Sequence, residues 1–480
     1  MQDSPNIKPT IRLLTVVTRP WLTASLLLVS DLVALAVAGA LSVGLRYLFD
    51  GGFNPAVYGP LWPVVGLFVL VYALVGLYPG VGVAPAEELR RLTLATTLVY
   101  LVLGAALFLF KEGGAYSRAV FLVAWVFSVV LVPLGRALVR HLCAHRRWWG
   151  YPAVVLGAGK TGRMVVRMLV RQPGLGLKPV AVLDDDPEKH GALEGVPVVG
   201  GVDLAPVLAR ELGVRYAIVA MPGVPRARLL EVLERYGSVF PHLVLIPDLF
   251  GFSSLWVSAK DLGGVLGLEV RQRLLLPGPR LVKRFLDLAA TVVGGVLVLP
   301  LMLLIALFIK LDSPGPVFYL QDRLGKDGRR FKAIKFRTMY GDGEKRLAEL
   351  LAQNPELRAE YELYHKLRND PRVTRFGRVL RKLSLDELPQ LWNVLKGEMS
   401  LVGPRAYLPR ELPKMSGAEG AILKVMPGIT GIWQVSGRNE VTFRERLNMD
   451  MYYVRNWSVW LDLYILARTV WVVLFGKGAY

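Results

Sequence analysis

The segment Leu288–Ile309, LAATVVGGVLVLPLMLLIALFI, decides the architecture of the C-terminal part of this chain. None of its residues is charged, and a helix of this length can cross the hydrocarbon core of a bilayer. Basic residues flank it on both sides, and such residues mark the cytoplasmic ends of membrane segments. The flanking cations are Arg280, Lys283, Arg284, Lys310, Arg323, Lys326, Arg329, Arg330, Lys332 and Lys335. We therefore expect both ends of the segment to lie on the cytoplasmic side.

Pro300 stands near the middle of this segment. A proline inside a helix removes a backbone hydrogen bond and bends the helix. Together with the charges on both flanks, it predicts a re-entrant helix over residues 285–310 that dips into one leaflet and returns. A kinked helix that spans the whole bilayer is the alternative.

The composition of the whole chain points to a membrane and to anionic partners. Its 480 residues are 53% hydrophobic, and the formal net charge is +20. This combination suits lipid headgroups, phosphates or a nucleotide, and no nucleic acid is expected among the partners. Cys143 is the single cysteine, which excludes an intrachain disulfide, and no Cys/His cluster has the spacing of a zinc site.

Four further apolar segments predict a transmembrane helical bundle over residues 1–145. They are Trp21–Leu45, Leu61–Tyr78, Leu92–Phe110 and Ala119–Gly135. One side of the predicted bundle collects Lys8, Arg12, Arg19, Arg90, Arg91, Arg136, Arg140, Arg146 and Arg147; the other collects Arg46, Lys111 and Arg118. Nine cations against three place both ends of the bundle in the cytoplasm.

Asp31 is the one charged residue inside these four predicted spans. An intramembrane carboxylate can mark an ion path. The alternative is a buried acid that is hydrogen-bonded between helices, and we assign Asp31 no function from the sequence.

Residues 146–266 have the alternating strands and helices of a Rossmann-like domain. An apolar strand leads into a glycine loop with Gly157, Gly159 and Gly162, and Asp184 follows the next strand. Such a loop could hold a dinucleotide phosphate at the N-terminus of the following helix. The domain is short and has no Tyr-x-x-x-Lys pair, so the sequence favours a regulatory or structural role over catalysis.

The segment Leu383–Gln390, LSLDELPQ, carries the predicted chemistry of residues 267–480. Asp386 and Glu387 are adjacent carboxylates at the predicted start of a helix. Such a pair suits phosphoryl transfer, in which one acid attacks phosphorus and the other helps to hold a divalent metal. Ser384 and Glu387 also match a capping box, so a purely structural role for Glu387 is an equal alternative.

Basic residues that could bind phosphate recur in the same part of the chain. They are Lys335, Arg337, Arg381, Arg405 and Arg438. Lys335 and Arg337 would share one face of a strand, and the neighbouring Gly-Pro turns favour a common site. The alternative for each residue is contact with solvent or lipid headgroups.

From about Arg280 onward the chain resembles the bacterial sugar transferases that load a phosphosugar onto polyprenyl phosphate. The motifs that carry the resemblance are Lys283–Asp287, Lys335–Met339, Ser384–Gln390, Asn393–Ser400, Leu401–Arg405 and Pro427–Arg438. With the preceding spans and nucleotide fold, the chain is similar to the large monotopic phosphoglycosyl transferases. Undecaprenyl-phosphate galactose phosphotransferases are the most similar type.

The resemblance implies transfer of a hexose-1-phosphate from a UDP-hexose to undecaprenyl phosphate, through a covalent intermediate on Asp386. It implies that Glu387 and Asp386 bind Mg²⁺, that the five basic residues hold phosphates or nucleotide, and that Pro300 forms the break of the re-entrant helix. It also implies a multi-pass protein of the bacterial inner membrane whose catalytic domain faces the cytoplasm.

Two other classes of function stay open on the sequence. One is a membrane-tethered sugar-nucleotide oxidoreductase or dehydratase that uses the loop at Gly157. The other is a non-enzymatic regulator of polysaccharide assembly. The identity of the hexose, the polymer that is built and the presence of a homodimer are likewise open.

Overall fold

The computed structural model describes residues 18–49, 54–109, 116–247, 257–261, 266–270, 274, 276–354, 370, 372–415, 417–436 and 441–475. The chain forms two compact units, residues 1–250 and 251–480. The first contains both the helical bundle and the nucleotide fold, and the second contains the segment 288–309. The predicted limits of three domains stay predictions.

The four predicted spans are helical, with ends that differ from the prediction. The helices are α1 (Pro20–Phe49), α2 (Val64–Leu74), α3 (Pro85–Leu109) and α4 (Arg118–Cys143). Among the described residues, five helical segments are long and apolar enough to cross a membrane, four in this region and one in the second unit. The second of the four is Pro55–Leu74, in which a 3₁₀ helix over Pro55–Leu61 precedes α2. Large apolar side chains such as Leu101 and Leu134 are exposed on the outside of the bundle, as a lipid-facing surface requires. The chain is a membrane protein.

Asp31 is a hydrogen-bonded acid between helices, as the second interpretation proposed. It forms an ion pair with Arg136 at 2.6 Å, and Tyr78 donates a hydrogen bond to it. Arg136 also binds Glu88 at 3.0 Å. The prediction that no other charge accompanies Asp31 is wrong, because α4 continues beyond Gly135 and carries Arg136 into the bundle. These partners satisfy the buried charges, and they join three helices.

The region after the bundle, called the nucleotide fold here, contains a six-stranded sheet between Tyr151 and Leu245. Its strand order is β3-β4-β2-β1-β5-β6. Its strands are β1 (Tyr151–Leu156), β2 (Leu177–Leu183), β3 (Gly191–Leu193), β4 (Val196–Gly200), β5 (Tyr216–Val219) and β6 (His242–Leu245). Five strands are parallel, as expected, whereas β3 pairs antiparallel with β4. The helices are α5 (Lys160–Arg171), α6 (Ala205–Glu211) and α7 (Arg226–Gly237). Apolar side chains of the sheet form two buried clusters.

The second unit begins with two short antiparallel strands, β7 (Val257–Asp261) and β8 (Leu266–Val270), followed by the long helix α8 (Pro277–Asp312). The backbone of α8 remains helical through Pro300. Asp287 in its first half accepts hydrogen bonds from Ser400 and Leu401. Ile309 in its second half belongs to a different buried cluster of the same unit.

The rest of the second unit consists of short elements around a hairpin. The strands are β9 (Phe318–Leu324), β10 (Arg330–Phe336), β11 (Ser400–Val402) and β12 (Gly428–Thr430). The helices are α9 (Gly343–Gln353), α10 (Arg375–Lys382), α11 (Leu391–Lys396), α12 (Glu419–Ile422), α13 (Ile432–Ser436), α14 (Phe443–Asn456) and α15 (Val459–Phe475). β9 and β10 are antiparallel, and β11 and β12 are parallel.

Candidate active site

A cleft of 1210 Å³ in the second unit brings the predicted carboxylates and most of the predicted cations together. Asp386 and Glu387 lie in its wall, on a 3₁₀ helix over Leu385–Gln390 that leads into α11. The predicted capping box is wrong. Ser384 adopts a left-handed conformation with φ 55°, and its side chain does not cap this helix.

The side chain of Glu387 is instead used in an ion pair. Lys335, on β10, donates to the Oε1 atom of Glu387 at 2.6 Å. Because the carboxylate points to a cation in the cleft and not to the backbone, the functional interpretation of Glu387 fits this geometry better than the capping interpretation.

Asp386 is only partly accessible, and its protonation is shifted. Burial raises the pKa of Asp386 to about 6, although the charge of Lys335 opposes this shift. The like charge of Glu387 raises the pKa further, and Arg381 lowers it. The carboxylate is therefore mainly ionised at neutral pH, yet it is poorly solvated, which suits a nucleophile.

Arg381 lies beside the carboxylates, while the contacts of Arg337 are structural. Arg381 lines the cleft and donates from Nε to Thr338 at 2.9 Å. Arg337 also borders the cleft, but both of its Nη atoms donate to backbone carbonyls, those of Pro314 at 2.6 Å and Ser313 at 2.7 Å. Strand β10 ends at Phe336, so the shared strand face predicted for Lys335 and Arg337 is not formed. The geometry gives Arg337 the role of fixing the end of α8.

Arg405 forms another part of the cleft wall with an aromatic partner. Its guanidinium lies 5.3 Å from the centre of the Trp433 ring, and Arg446 lies 4.6 Å from the same ring. The buried Asp450 accepts from the backbone N–H of Arg405 at 3.1 Å. Trp433 was not predicted as a site residue, although it stands within the motif Pro427–Arg438. Arg438 lies outside the described residues.

Three further arginines line the cleft, and none of them was predicted as a site residue: Arg323, Arg372 and Arg410. Burial lowers the pKa of Arg323 to about 10, with a further contribution from the charge of Arg405. Arg372 binds Asp370 at 2.7 Å. Each stands in a basic stretch without its own motif, so only the fold distinguishes these arginines from solvated ones.

Glycines hold the two short strands β11 and β12 against each other beneath the cleft. A Cβ atom on Gly428 would lie 2.0 Å from the backbone nitrogen of Gly403, and one on Gly403 would lie 2.6 Å from that of Gly428. No side chain fits there. This contact sets the positions of Arg405 and Thr430, which follow the two crossing points and line the cleft.

The carboxylate pair fits a magnesium ion of the kind that also binds substrate phosphates. No group of three acidic, histidine or cysteine side chains that could hold a metal occurs in the described ranges. Mg²⁺ commonly uses one or two carboxylates, and water and substrate phosphates complete its coordination. The donor set of Asp386 and Glu387 is compatible with such a site, and Mg²⁺ stays a prediction.

In the nucleotide fold, the predicted glycine loop is well formed, and its acid is used within it. Gly157 has φ +107°, and a Cβ on Gly162 would lie 1.8 Å from the carbonyl oxygen of Gly157. Gly159 precedes α5, and a Cβ there would meet no atom within 4 Å. Asp184 accepts a hydrogen bond from the backbone N–H of Ala158 at 2.7 Å. These contacts give Asp184 a structural role in closing the loop.

Sequence comparisons place the chain among known proteins. The profile of the family described as bacterial sugar transferase matches residues 278–476, which include the cleft, and a CoA-binding domain profile matches residues 73–247. The UDP-galactose-lipid carrier transferase of Erwinia amylovora is 37% identical over 76% of this chain and 76% of that protein. The chain belongs to the bacterial sugar transferase family.

Other relatives of this sugar transferase support the same assignment. The undecaprenyl-phosphate galactose phosphotransferase of Salmonella typhimurium is 35% identical over 80% of this chain and 81% of its own length. The UDP-glucose:undecaprenyl-phosphate glucose-1-phosphate transferase of Escherichia coli is 32% identical, with 83% and 84% covered. The family resemblance predicted from the sequence motifs is confirmed, and the chain is a transferase.

Proposed function

We propose that this sugar transferase moves a hexose-1-phosphate, with galactose or glucose as the hexose, from its UDP-sugar to undecaprenyl phosphate. The products are undecaprenyl-diphosphate sugar and UMP, and the reaction would be the first membrane step in assembly of an O-antigen, exopolysaccharide or capsule. The observation that carries the proposal is the position of Asp386 in the wall of a cleft lined by cations. The relatives named for galactose and glucose transfer support the donor class.

The proposed reaction has two displacement steps at one phosphorus atom. In the first, an Oδ atom of Asp386 attacks the β-phosphorus of the UDP-sugar, the bond from that phosphorus to the bridging oxygen breaks, and UMP leaves. In the second, a phosphate oxygen of undecaprenyl phosphate attacks the same phosphorus. The bond to Asp386 then breaks, and the carboxylate is regenerated.

The cations of the cleft would offset the charges of the diphosphate and the lipid phosphate. Lys335 and Arg381 lie beside the nucleophile, and Arg405 lies further along the wall. Asp386 and Glu387 would hold Mg²⁺. When bound, the ion would neutralise charge on the phosphate oxygens. Lys335 would keep Glu387 oriented, and partial burial of Asp386 would keep the nucleophile poorly solvated.

Helix α8 would enter the inner leaflet and return, so that the cleft stays in the cytoplasm near the headgroups. Contacts along α8 support this path. Arg284 near its start donates to the carbonyls of Val394 and Leu395, while Ile305 and Ile309 near its end cluster with Leu388. A straight helix would separate Arg284 from Ile309 by roughly 38 Å. Leu388 and Val394 belong to consecutive short helices, which favours a bend at Pro300.

Covalent labelling tests this function. The purified chain is incubated with UDP-sugar radiolabelled in the sugar, without lipid acceptor, and protein-bound label is measured. The wild type is expected to retain label and to lose it when undecaprenyl phosphate is added. Asp386→Asn is expected to retain none, whereas Asp322→Asn, which changes an exposed carboxylate on β9, is the matched control. Label on Asp386→Asn would contradict the assigned nucleophile.

A further inference from the structure

A second, smaller cavity lies in the same unit, and none of the described residues lines both it and the cleft. Its volume is 80 Å³. We refer to it as the basic cavity, because its lining includes the cations Arg280, Lys283, Arg284, Lys326 and Lys424. Residues from α8, from the turn after β9 and from the segment after α12 meet there. Part of its lining belongs to the motifs Lys283–Asp287 and Asn393–Ser400, but the proposed reaction assigns these residues no role.

Most of the positive charge at the basic cavity has no acidic partner among the residues that the structure describes. Lys283 is neutralised, since it binds Asp462 at 2.7 Å and lies 3.7 Å from Asp287. Arg280 and Arg284 donate to neutral backbone carbonyls. Neither Lys326 nor Lys424 forms an ion pair with a residue that the structure describes. Four cations around a small space repel one another, and an anion would relieve that repulsion.

The position of the basic cavity on α8 indicates where such an anion would come from. Arg280 and Arg284 are one helical turn apart and stand just before the uncharged segment 288–309. That position is at headgroup depth whether α8 re-enters or spans the membrane. Leu281 and Phe285, on the same turns, are 71% and 70% exposed. Apolar surface beside a cationic site matches a molecule that has an acyl chain and a phosphate.

We propose that the basic cavity binds the phosphate group of an anionic membrane lipid. The lipid would be distinct from the substrate in the cleft, and its headgroup would anchor the start of α8 at the membrane surface. Inorganic phosphate has the same binding chemistry, and a test must separate these two sources. This inference does not depend on the covalent mechanism, because it concerns other residues.

Thermal unfolding with defined lipids tests the proposal. The full-length chain in a neutral detergent is titrated with short-chain phosphatidylglycerol, phosphatidylcholine or inorganic phosphate, and Tm is measured. A ligand that binds only the folded state raises Tm in a saturable way. We expect phosphatidylglycerol to raise Tm and phosphatidylcholine to have little effect. In Lys326→Gln/Lys424→Gln the apparent affinity for phosphatidylglycerol should fall by about tenfold or more.

Two variants control for the loss of charge. Arg329→Gln/Arg330→Gln removes two exposed cations outside the cavity and should keep the response. Lys326→Arg/Lys424→Arg keeps the charge and should keep the response too. Inorganic phosphate could raise the Tm of the wild type as much as phosphatidylglycerol does, and lose this effect in Lys326→Gln/Lys424→Gln. The cavity would then bind phosphate without requiring a lipid, and the lipid assignment would be overturned. Equal responses to both lipids, or equal affinity in the wild type and the Gln variant, would overturn the site itself.

Discussion

At the scale of single residues, the environment of Asp386 raises its pKa but leaves the carboxylate mainly ionised at neutral pH. Burial and the neighbouring Glu387 raise its pKa, and Lys335 and Arg381 limit the increase. The four side chains come from three places in the chain, since Lys335 lies on β10, Arg381 lies on α10, and the two carboxylates lie on the 3₁₀ helix Leu385–Gln390. The protonation of Asp386 is thus set by tertiary contacts as well as by the adjacent residue in the sequence.

This balance predicts a pH dependence for formation of the covalent intermediate. The rate of labelling at a low donor concentration should rise with pH as Asp386 ionises, with its midpoint near the pKa of about 6, and then level off. Glu387→Gln removes a charge that raises the pKa and frees Lys335, so the midpoint should move to lower pH. Lys335→Met removes a charge that lowers the pKa, so the midpoint should move to higher pH. Single-turnover labelling across acidic and neutral pH measures both shifts.

Opposite shifts are the decisive result of this experiment. Asp322→Asn is the control and should leave the midpoint where the wild type has it. Movement of both variants in the same direction would mean that another group controls the rate.

The sequence predicted the carboxylates and several cations of the site, but not how each is used. Asp386 and Glu387 are adjacent in a motif, so their proximity needed no structure. Arg337 looked like Lys335 in the sequence. Its role became clear only when the end of α8 brought the carbonyls of Ser313 and Pro314 to its guanidinium. Local sequence contains no information on such a contact between distant segments.

At the scale of elements, the cleft depends on a close approach of two short strands. Gly403 and Gly428 allow β11 and β12 to pass with backbone atoms in contact. The chain after the first strand leads to Arg405, which forms a separate bridge to Gly428, and the second strand ends at Thr430. At the helix after Ser384, the local sequence pattern did not predict the contacts that form. The capping-box pattern was present, yet the ion pair with Lys335 and the left-handed Ser384 replaced it.

Gly428→Ala should therefore damage both the fold and the reaction. Its Cβ would overlap the backbone of Gly403, which cannot move away as a flexible side chain could, and a cost of about 1–3 kcal/mol or more is expected. The matched control is Gly420→Ala, because a Cβ at Gly420 meets nothing within 4 Å. Thermal unfolding and covalent labelling of the two variants measure the difference. Equal Tm values would show that the β11–β12 contact does not constrain the cleft.

At the scale of the whole molecule, the sequence predicted the long helices and the parallel strands, but not a short strand or the ion pairs between helices. Long apolar segments predicted the helices of the bundle, and alternating strands predicted the sheet, because each pattern extends over many residues. The antiparallel strand β3 was missed, since Gly191–Leu193 is too short to show a pattern. The network of Asp31 and Arg136 was missed because it depends on where α4 ends.

Labelling of single cysteines from each side of the membrane tests the path of α8. With Cys143→Ser as background, single cysteines are placed at Leu276 before α8, at Arg329 after it, and at Leu48 near the end of α1. All three positions are exposed. A membrane-impermeant maleimide is applied to inverted and to right-side-out vesicles.

A re-entrant α8 should make the cysteines at 276 and 329 react in inverted vesicles, and the one at 48 react in right-side-out vesicles. The positive charges on both sides of 288–309 are the physical reason, because each would be costly to move across the bilayer. If the cysteines at 276 and 329 react from opposite sides, α8 spans the membrane, and the re-entrant path is wrong.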